Sequence, residues 1–244
     1  MADDQPRRDA TEGPGSSVDH VEAVLWDVGG VILDLGSVRA GHRAFAAWLA
    51  EAYGLGPVED VIATWRQAVG DYFRERDGTA FRPAREAYAR AVAACVGEPV
   101  PRAAWEDPFW ETVGSHLRAT EGAAETIERL AAAGLHQGVV SDIDAAEGRF
   151  ILGRLGVLDA FDAVTTSEDV GRTKPDPAIF EAALEAAGVA PDRALMVGDR
   201  YRHDMAGAAR LGIHTAAFGA ADGPAVEYRL ASLRDLPVLV GVES

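Results

Sequence analysis

The sequence of 244 residues contains one cysteine, one lysine and no asparagine. With Cys95 alone, an intrachain disulfide is impossible and a cysteine-based metal cluster is excluded, which fits a reducing cytoplasm. Long apolar runs are missing too: none approaches the roughly 18 residues that a membrane-spanning helix needs. The first twenty residues mix Asp, Arg, Glu, Pro and Gly without an apolar centre, so neither a signal peptide nor a membrane span is expected. Basic residues are scarce, 23 Lys and Arg against 39 Asp and Glu, for a net charge of −16 and a pI near 4.7. Such a surface repels nucleic-acid phosphates and anionic lipid, which argues against both as partners. Two origins of the acidic, lysine-poor composition stay open. One is a salt-rich cytoplasm that screens the self-repulsion; the other is a GC-rich genome that turns Lys codons into Arg codons.

What is present is an ordinary globular composition, 48% hydrophobic and 25% charged, enough for one large domain or a domain with an insertion. Residues 1 to about 18 are polar and aperiodic and read as a disordered leader. An apolar run from Val21 to Val28 has strand length and stops at Gly29-Gly30. From Ser37 to about Leu117 the chain is Ala-rich and helical in pattern, with breaks near Gly54–Pro57, Asp77–Gly78 and Gly97–Pro101 that predict four helices. Four of the five tryptophans fall here, as core-forming residues, and Cys95 reads as a small core residue as well.

Beyond Thr120, helices and strands alternate. Ala123, Ile127, Leu130 and Ala131 share a helical face, and His136–Ser141 follows as a strand. A helix is predicted near 144–155, a strand at 163–166, a helix opened by Asp176-Pro177, a strand at 194–197, a helix near 203–211 and a strand at 213–218. This alternation predicts an α/β fold, a parallel sheet with helices on both faces.

In such sheets chemistry collects at the carboxyl ends of the strands. There stand Asp27, Ser141 and Asp199, with Lys174 in the turn before a helix and Asp204 five residues beyond Asp199. Taken singly, an Asp at a strand end is a turn former or a cap, and a Ser likewise. Lys174 is less ordinary, because a chain that otherwise uses only Arg keeps a compact ammonium at this one position. Several carboxylates converging on one crevice call for a hard divalent cation such as Mg2+, and the lysine adds positive charge for an anion.

Order and spacing say more than any part. Leu25-Trp26-Asp27-Val28-Gly29-Gly30-Val31-Ile32-Leu33-Asp34, then Val139-Val140-Ser141-Asp142, then Lys174-Pro175-Asp176-Pro177, then Val197-Gly198-Asp199 through Asp204 resemble the four motifs of the haloacid dehalogenase-like hydrolase superfamily. They stand in order and cover roughly residues 21–35 and 118–220. The resemblance implies a Rossmann-like core of residues 19–35 and 118–244 with an all-helical cap, 36–117, inserted after the first motif. It also implies Mg2+-dependent hydrolysis of a small phosphorylated metabolite; the enzyme is expected to be cytoplasmic and a monomer or homodimer, with the choice between these states left open by the sequence. By position, Asp27 corresponds to the nucleophile that forms an aspartyl-phosphate, Ser141 and the amide of Asp142 to the phosphoryl binders, and Lys174 to the cation beside both. Asp27, the carbonyl of Gly29 and Asp199 correspond to the metal ligands, with Asp204 as a second-shell or alternate ligand.

One position departs from that pattern. The family's phosphatases carry a second Asp two residues after the nucleophile, as acid for the leaving oxygen and base for the water, and here Gly29 stands there. General acid–base help is worth about 10²–10⁴ in rate, so the resemblance implies attenuated turnover, or a proton from elsewhere, with His42 and His203 as candidates. Two alternatives follow. A 2-haloacid dehalogenase also uses an Asp nucleophile, but that branch pairs it with a bulky aromatic at the second position and an Asn after the motif serine, where this chain has Gly29 and Asp142. A non-catalytic phosphoryl- or ligand-binding member would fit the lost acid but not the retained nucleophile, lysine and carboxylates.

Overall fold

The computed structural model describes Val18 and residues 20–242. Most of the predicted leader lies outside the described residues. Val18, at its end, is buried and donates its N–H to the Leu239 carbonyl at 2.8 Å. Six strands form one sheet: β1 (Ala23–Trp26), β2 (His136–Ser141), β3 (Ala163–Thr166), β4 (Ala194–Gly198), β5 (His214–Phe218) and β6 (Tyr228–Leu230). Their spatial order is β3-β2-β1-β4-β5-β6 and every pairing is parallel. The order reverses at β1, where β2 leaves on one side and β4 on the other, and this opens a crevice at the carboxyl ends of these three strands.

Four helices separate β1 from the rest of the sheet: α1 (Leu35–Tyr53), α2 (Val58–Arg74), α3 (Ala84–Val96) and α4 (Glu106–His116). They match the four predicted from the breaks. Asp34 starts α1 by accepting from the Gly36 and Ser37 amides, and Gly54, in the left-handed region, ends it. The remaining helices are α5 (Ala123–Ala132), α6 (Ala145–Arg154), α7 (Ser167–Val170), α8 (Pro177–Ala187), α9 (Ala206–Ala209) and α10 (Leu236–Leu239). Asp176 caps α8 and Pro177 occupies its first turn, as the sequence signal requires. Among the described residues no helix is long and apolar enough to cross a membrane.

Alternation along β1 builds a core on each face of the sheet. Val24 and Trp26 join Val139, Leu195 and Val197 in a cluster that runs on into the helical layer through Phe45, Trp65 and Phe109. Ala23 and Leu25 pack instead with Val140, Met196, Ile179 and Phe180. Phe45 and Phe109 meet edge to face with ring centroids 5.0 Å apart, a favoured aromatic geometry. Trp26 buries its indole N–H against Gln137 Oε1 at 2.8 Å. Cys95 packs half-buried against this core.

Beyond shifts of a residue at strand ends, the structure departs from the sequence reading at three elements. The first strand is confined to Ala23–Trp26 rather than 21–28. The helix predicted near 203–211 is a π-helical turn, Tyr201–Met205, followed by the short α9. β6 had no sequence signal, since Tyr228–Leu230 is only three residues long and too short for alternation to register.

Candidate active site

Asp27 follows β1 directly and donates its N–H to the Val197 carbonyl at 2.9 Å, so the sheet ladder itself fixes its backbone between β2 and β4. Ser141 ends β2 and is buried. Lys174 is 2% exposed, and its ammonium lies 2.8 Å from Asp27 Oδ1 and 2.7 Å from Asp204 Oδ1. Its third neighbour is the Val140 carbonyl, which accepts from Nζ at 2.9 Å. Three acceptors thus surround a group with three donors, and water is excluded.

Asp199 and Asp204 come from the segment after β4. One carboxylate oxygen from each of Asp27, Asp199 and Asp204 lies within 4.8 Å of the others. Two glycines make this approach possible. A Cβ on Gly30, whose φ is +84°, would stand 2.3 Å from Asp199 Oδ2, and one on Gly198 would stand 2.3 Å from the Asp204 Cβ. Gly30 and Gly198 therefore give the carboxylates their room.

The charge balance is uneven, with three clustered carboxylates against one ammonium. Burial pushes the Asp27 carboxyl up to about 6, with Lys174 pulling it down and Asp204 and Asp199 adding to the rise. Burial and the Asp204 charge also raise Asp199. For Lys174, burial opposes the charged form, but Asp204, Asp27 and Asp142 outweigh it and hold the ammonium above its ordinary range. Asp199 Oδ1 is buried without a hydrogen-bond partner. An orphaned carboxylate oxygen beside two further carboxylates suits a hard divalent cation that takes oxygen ligands. Asp204 is more fully engaged, one oxygen on Lys174 and the other accepting the Arg200 amide at 2.9 Å.

Asp27, Lys174, Asp199 and Asp204 therefore converge on one crevice, and Ser141 ends the neighbouring strand β2. Gly29 sits beside them, partly exposed, and its φ lies outside the left-handed region, which is occupied by Gly30 instead. His42 lies elsewhere, in the helical layer, with its ring 5.8 Å from Trp65 and 6.0 Å from Phe109. Burial there pushes its imidazole down to about 4, with Arg66 adding to the effect. His203 does reach the site, where its Nδ1 is 3.2 Å from Asp142 Oδ2. Clefts of about 320 and 280 Å³ are lined by other residues, one including His136 and Asp162 and the other Trp110 and Phe150. Neither is bordered by Asp27.

Contacts without a sequence signature join the helical layer to the lysine turn. Ala80 and Arg172 form an antiparallel bridge. The Phe81 amide donates to Gly171 O at 3.0 Å, and the Thr173 amide to Thr79 O at 2.8 Å. Thr79 Oγ1 donates to Asp176 Oδ2 at 2.7 Å. The segment between α2 and α3 is thereby tied to the residues on either side of Lys174. Isolated bridges of one residue pair leave no periodicity to read.

Comparison with known proteins agrees with this geometry. The haloacid dehalogenase-like hydrolase family model matches residues 21–212. A ribulose-1,5-bisphosphate 5-phosphatase of Halopiger xanaduensis is 29% identical over 200 residues, 80% of this chain and 84% of that protein. A glyceraldehyde 3-phosphate phosphatase of Pyrococcus furiosus is 36% identical over 110 residues, 45% of this chain and slightly under half, 46%, of that protein. Among solved structures, a phosphatase from Thermococcus onnurineus superposes with a TM-score of 0.70 at 24% identity, covering 91% of this chain and 99% of that one, and shares the fold. The phosphatase names among the relatives support a phosphoric monoester hydrolase. With the family model spanning most of its length, the chain belongs to the haloacid dehalogenase-like hydrolases.

Proposed function

We propose that the chain is a Mg2+-dependent phosphohydrolase that acts on a small phosphorylated metabolite through an aspartyl-phosphate on Asp27. The observation that carries this reading is the buried Lys174 ammonium shared between Asp27 and Asp204 at 2.8 and 2.7 Å. It holds a carboxylate ionised at the mouth of a parallel sheet, next to the hydroxyl-bearing end of β2. The Asp27 carboxylate attacks phosphorus, its new P–O bond forming as the ester P–O bond breaks and the alkoxide leaves. Water then attacks the acyl phosphate, releasing inorganic phosphate and restoring Asp27. Ser141 and the Asp142 amide bind the phosphoryl oxygens, and Lys174 neutralises the charge shared between them and Asp27. Mg2+ fits the carboxylates with their orphaned Asp199 oxygen and would be held by Asp27, Asp199 and the Gly29 carbonyl. Asp204 anchors Lys174, and serves as an alternate ligand only if it releases that ion pair. When bound, the cation supplies charge neutralisation for the phosphoryl group.

The same reading divides the chain into a core of residues 19–35 and 118–244 and a cap of residues 36–117, which contains all of α1 to α4 except the first residue of α1. The two named relatives act on phosphorylated sugars by their names, so sugar phosphates head the list of candidates. A screen of phosphorylated metabolites with Mg2+, with and without chelator, at low and high salt, tests the proposal. Phosphate release that chelator abolishes is expected, together with its loss in Asp27→Asn. Halide release from a 2-haloacid that survives chelator would replace the reading with dehalogenation.

A further inference from the structure

Asp142 poses an electrostatic problem. It follows Ser141 at the end of β2, where its amide would receive a phosphoryl dianion, yet it carries a carboxylate of its own. Three segments supply donors to that carboxylate. Oδ1 accepts the Lys174 amide at 2.7 Å and the Ser167 hydroxyl at 3.2 Å, and Oδ2 lies 3.2 Å from His203 Nδ1. Two oxygens with several lone pairs can accept all three donors, whereas an amide has only one accepting oxygen. Behind His203 stands Arg200, its Nη2 3.3 Å from His203 Nε2. A guanidinium can only donate, so Nε2 is the acceptor and the ring proton sits on Nδ1, pointing at Asp142.

We propose that His203 is a positioning residue: polarised by Arg200, it compensates the Asp142 carboxylate and so keeps the main chain of Lys174 and the end of β2 aligned for a phosphoryl group. The segment after β4 then has two functions. Asp199 and Asp204 face the metal-type cluster, while Arg200 and His203 face the end of β2. The π-helical turn at Tyr201–Met205 carries His203 and Asp204 side by side, so that one is directed to Asp142 and the other to Lys174.

This inference rests on the phosphohydrolase reading, and the test separates the two. Inorganic phosphate binding is measured calorimetrically in Mg2+, alongside kcat and KM, in the full chain. In His203→Leu the uncompensated carboxylate should weaken phosphate binding and raise KM about tenfold. His203→Asn, which can place an amide N–H near the lost Nδ1, should recover most of that loss. Asp142→Asn added to His203→Leu should recover at least about fivefold in phosphate affinity, because the repelling charge is gone. Arg200 is exposed, so Arg200→Met serves as a variant with little folding risk and should weaken phosphate binding about threefold. Nitrogen NMR of the wild type should show the Nδ1-protonated tautomer of His203. Wild-type phosphate affinity in His203→Leu, absence of rescue by Asp142→Asn, or an Nε2-protonated ring would each overturn the assignment. A wild type that neither binds phosphate nor hydrolyses any phosphate ester would overturn the phosphohydrolase reading and this one together.

Discussion

On the phosphohydrolase reading, Lys174 and Gly29 are the two residues at which the chemistry is most exposed to single substitutions. The crevice around Lys174 offers three acceptors within 2.9 Å and no open side. A planar guanidinium cannot meet all three from the same place. Lys174→Arg is expected to lose at least about 10² in kcat, the scale of removing one preorganised charge from a water-excluded site, and wild-type rates in that variant would contradict the role. On the same reading, Gly29 leaves no side chain at the position expected to protonate a leaving group, and neither histidine candidate fills the gap. His42 is held neutral among aromatic rings, and both ring nitrogens of His203 are engaged. The wild type should therefore favour aryl and acyl phosphates over alkyl ones, with aspartyl-phosphate accumulating as a burst. A Cβ on Gly29 would meet only Leu35 Cδ2, at an ordinary 3.7 Å, so Gly29→Asp has room. That variant is expected to raise alkyl phosphate turnover by about 10². Equal alkyl and aryl rates in the wild type without a burst would show that another group already supplies the proton.

Among the elements, α3 depends on the sheet layer for its start. Pro83 precedes it and offers no capping side chain. Asp144 reaches across instead, accepting the Ala84 amide at 2.7 Å and the Arg85 amide at 3.2 Å. The Arg85 side chain then pairs with both Asp144 and Glu168. Because Asp144 is almost completely buried, its removal leaves two amides and a guanidinium short of partners. Asp144→Ala should cost about 1–3 kcal/mol and speed amide exchange in α3 while leaving β1 and β2 protected. Unchanged exchange in α3 would mean that the cap is dispensable. This contact was not legible in the sequence, because Asp144 and Ala84 are sixty residues apart and no local pattern links them. The elements themselves were legible where periodicity and caps coincide: the β2 and β3 bounds match the sequence reading, and Asp176-Pro177 marks the start of α8. The π-helical turn was read as ordinary helix because a single extra residue in a turn leaves the apolar spacing almost unchanged. The convergence of Asp27, Lys174 and Asp199 could be anticipated from strand ends and lysine scarcity. The partners Val140, Ser167 and His203 could not, since backbone carbonyls and cross-segment hydrogen bonds carry no residue-type signal.

At the scale of the whole molecule, the helical layer and the sheet layer share one core and meet at several further places, among them the bridge at Ala80 and Arg172 and, as a second, the approach of Tyr88 in α3 to Glu147 in α6. At the second, the Tyr88 hydroxyl donates to Glu147 Oε1 at 2.8 Å. Burial pushes the Glu147 carboxyl from 4.5 up to about 7, with Asp144 adding to the rise and the Tyr88 hydrogen bond opposing it. Arg85, Arg102 and Glu106 line the same cleft, but Arg85 is committed to Asp144 and Glu168 and Arg102 to Glu106, so among the described residues that line it no free cation meets Glu147. The sign follows from linkage. A carboxyl whose folded value is raised binds more protons folded than unfolded, so its favourable contribution is complete below about pH 4.5, declines as the pH rises through about 7 and is flat above that. Glu147 remains partly exposed, which reduces the size of the effect to on the order of 1 kcal/mol, or about 2–4 °C in Tm for a chain of this length. Asp27 shifts in the same direction, so the difference between the wild type and Glu147→Gln, rather than either curve alone, isolates the interface. Glu147→Gln keeps an acceptor for Tyr88 and cannot ionise. Its Tm should therefore equal or trail that of the wild type near pH 5 and exceed it by a few degrees near pH 8, whereas parallel Tm curves across that range would show that Glu147 ionises without straining the junction of the two layers.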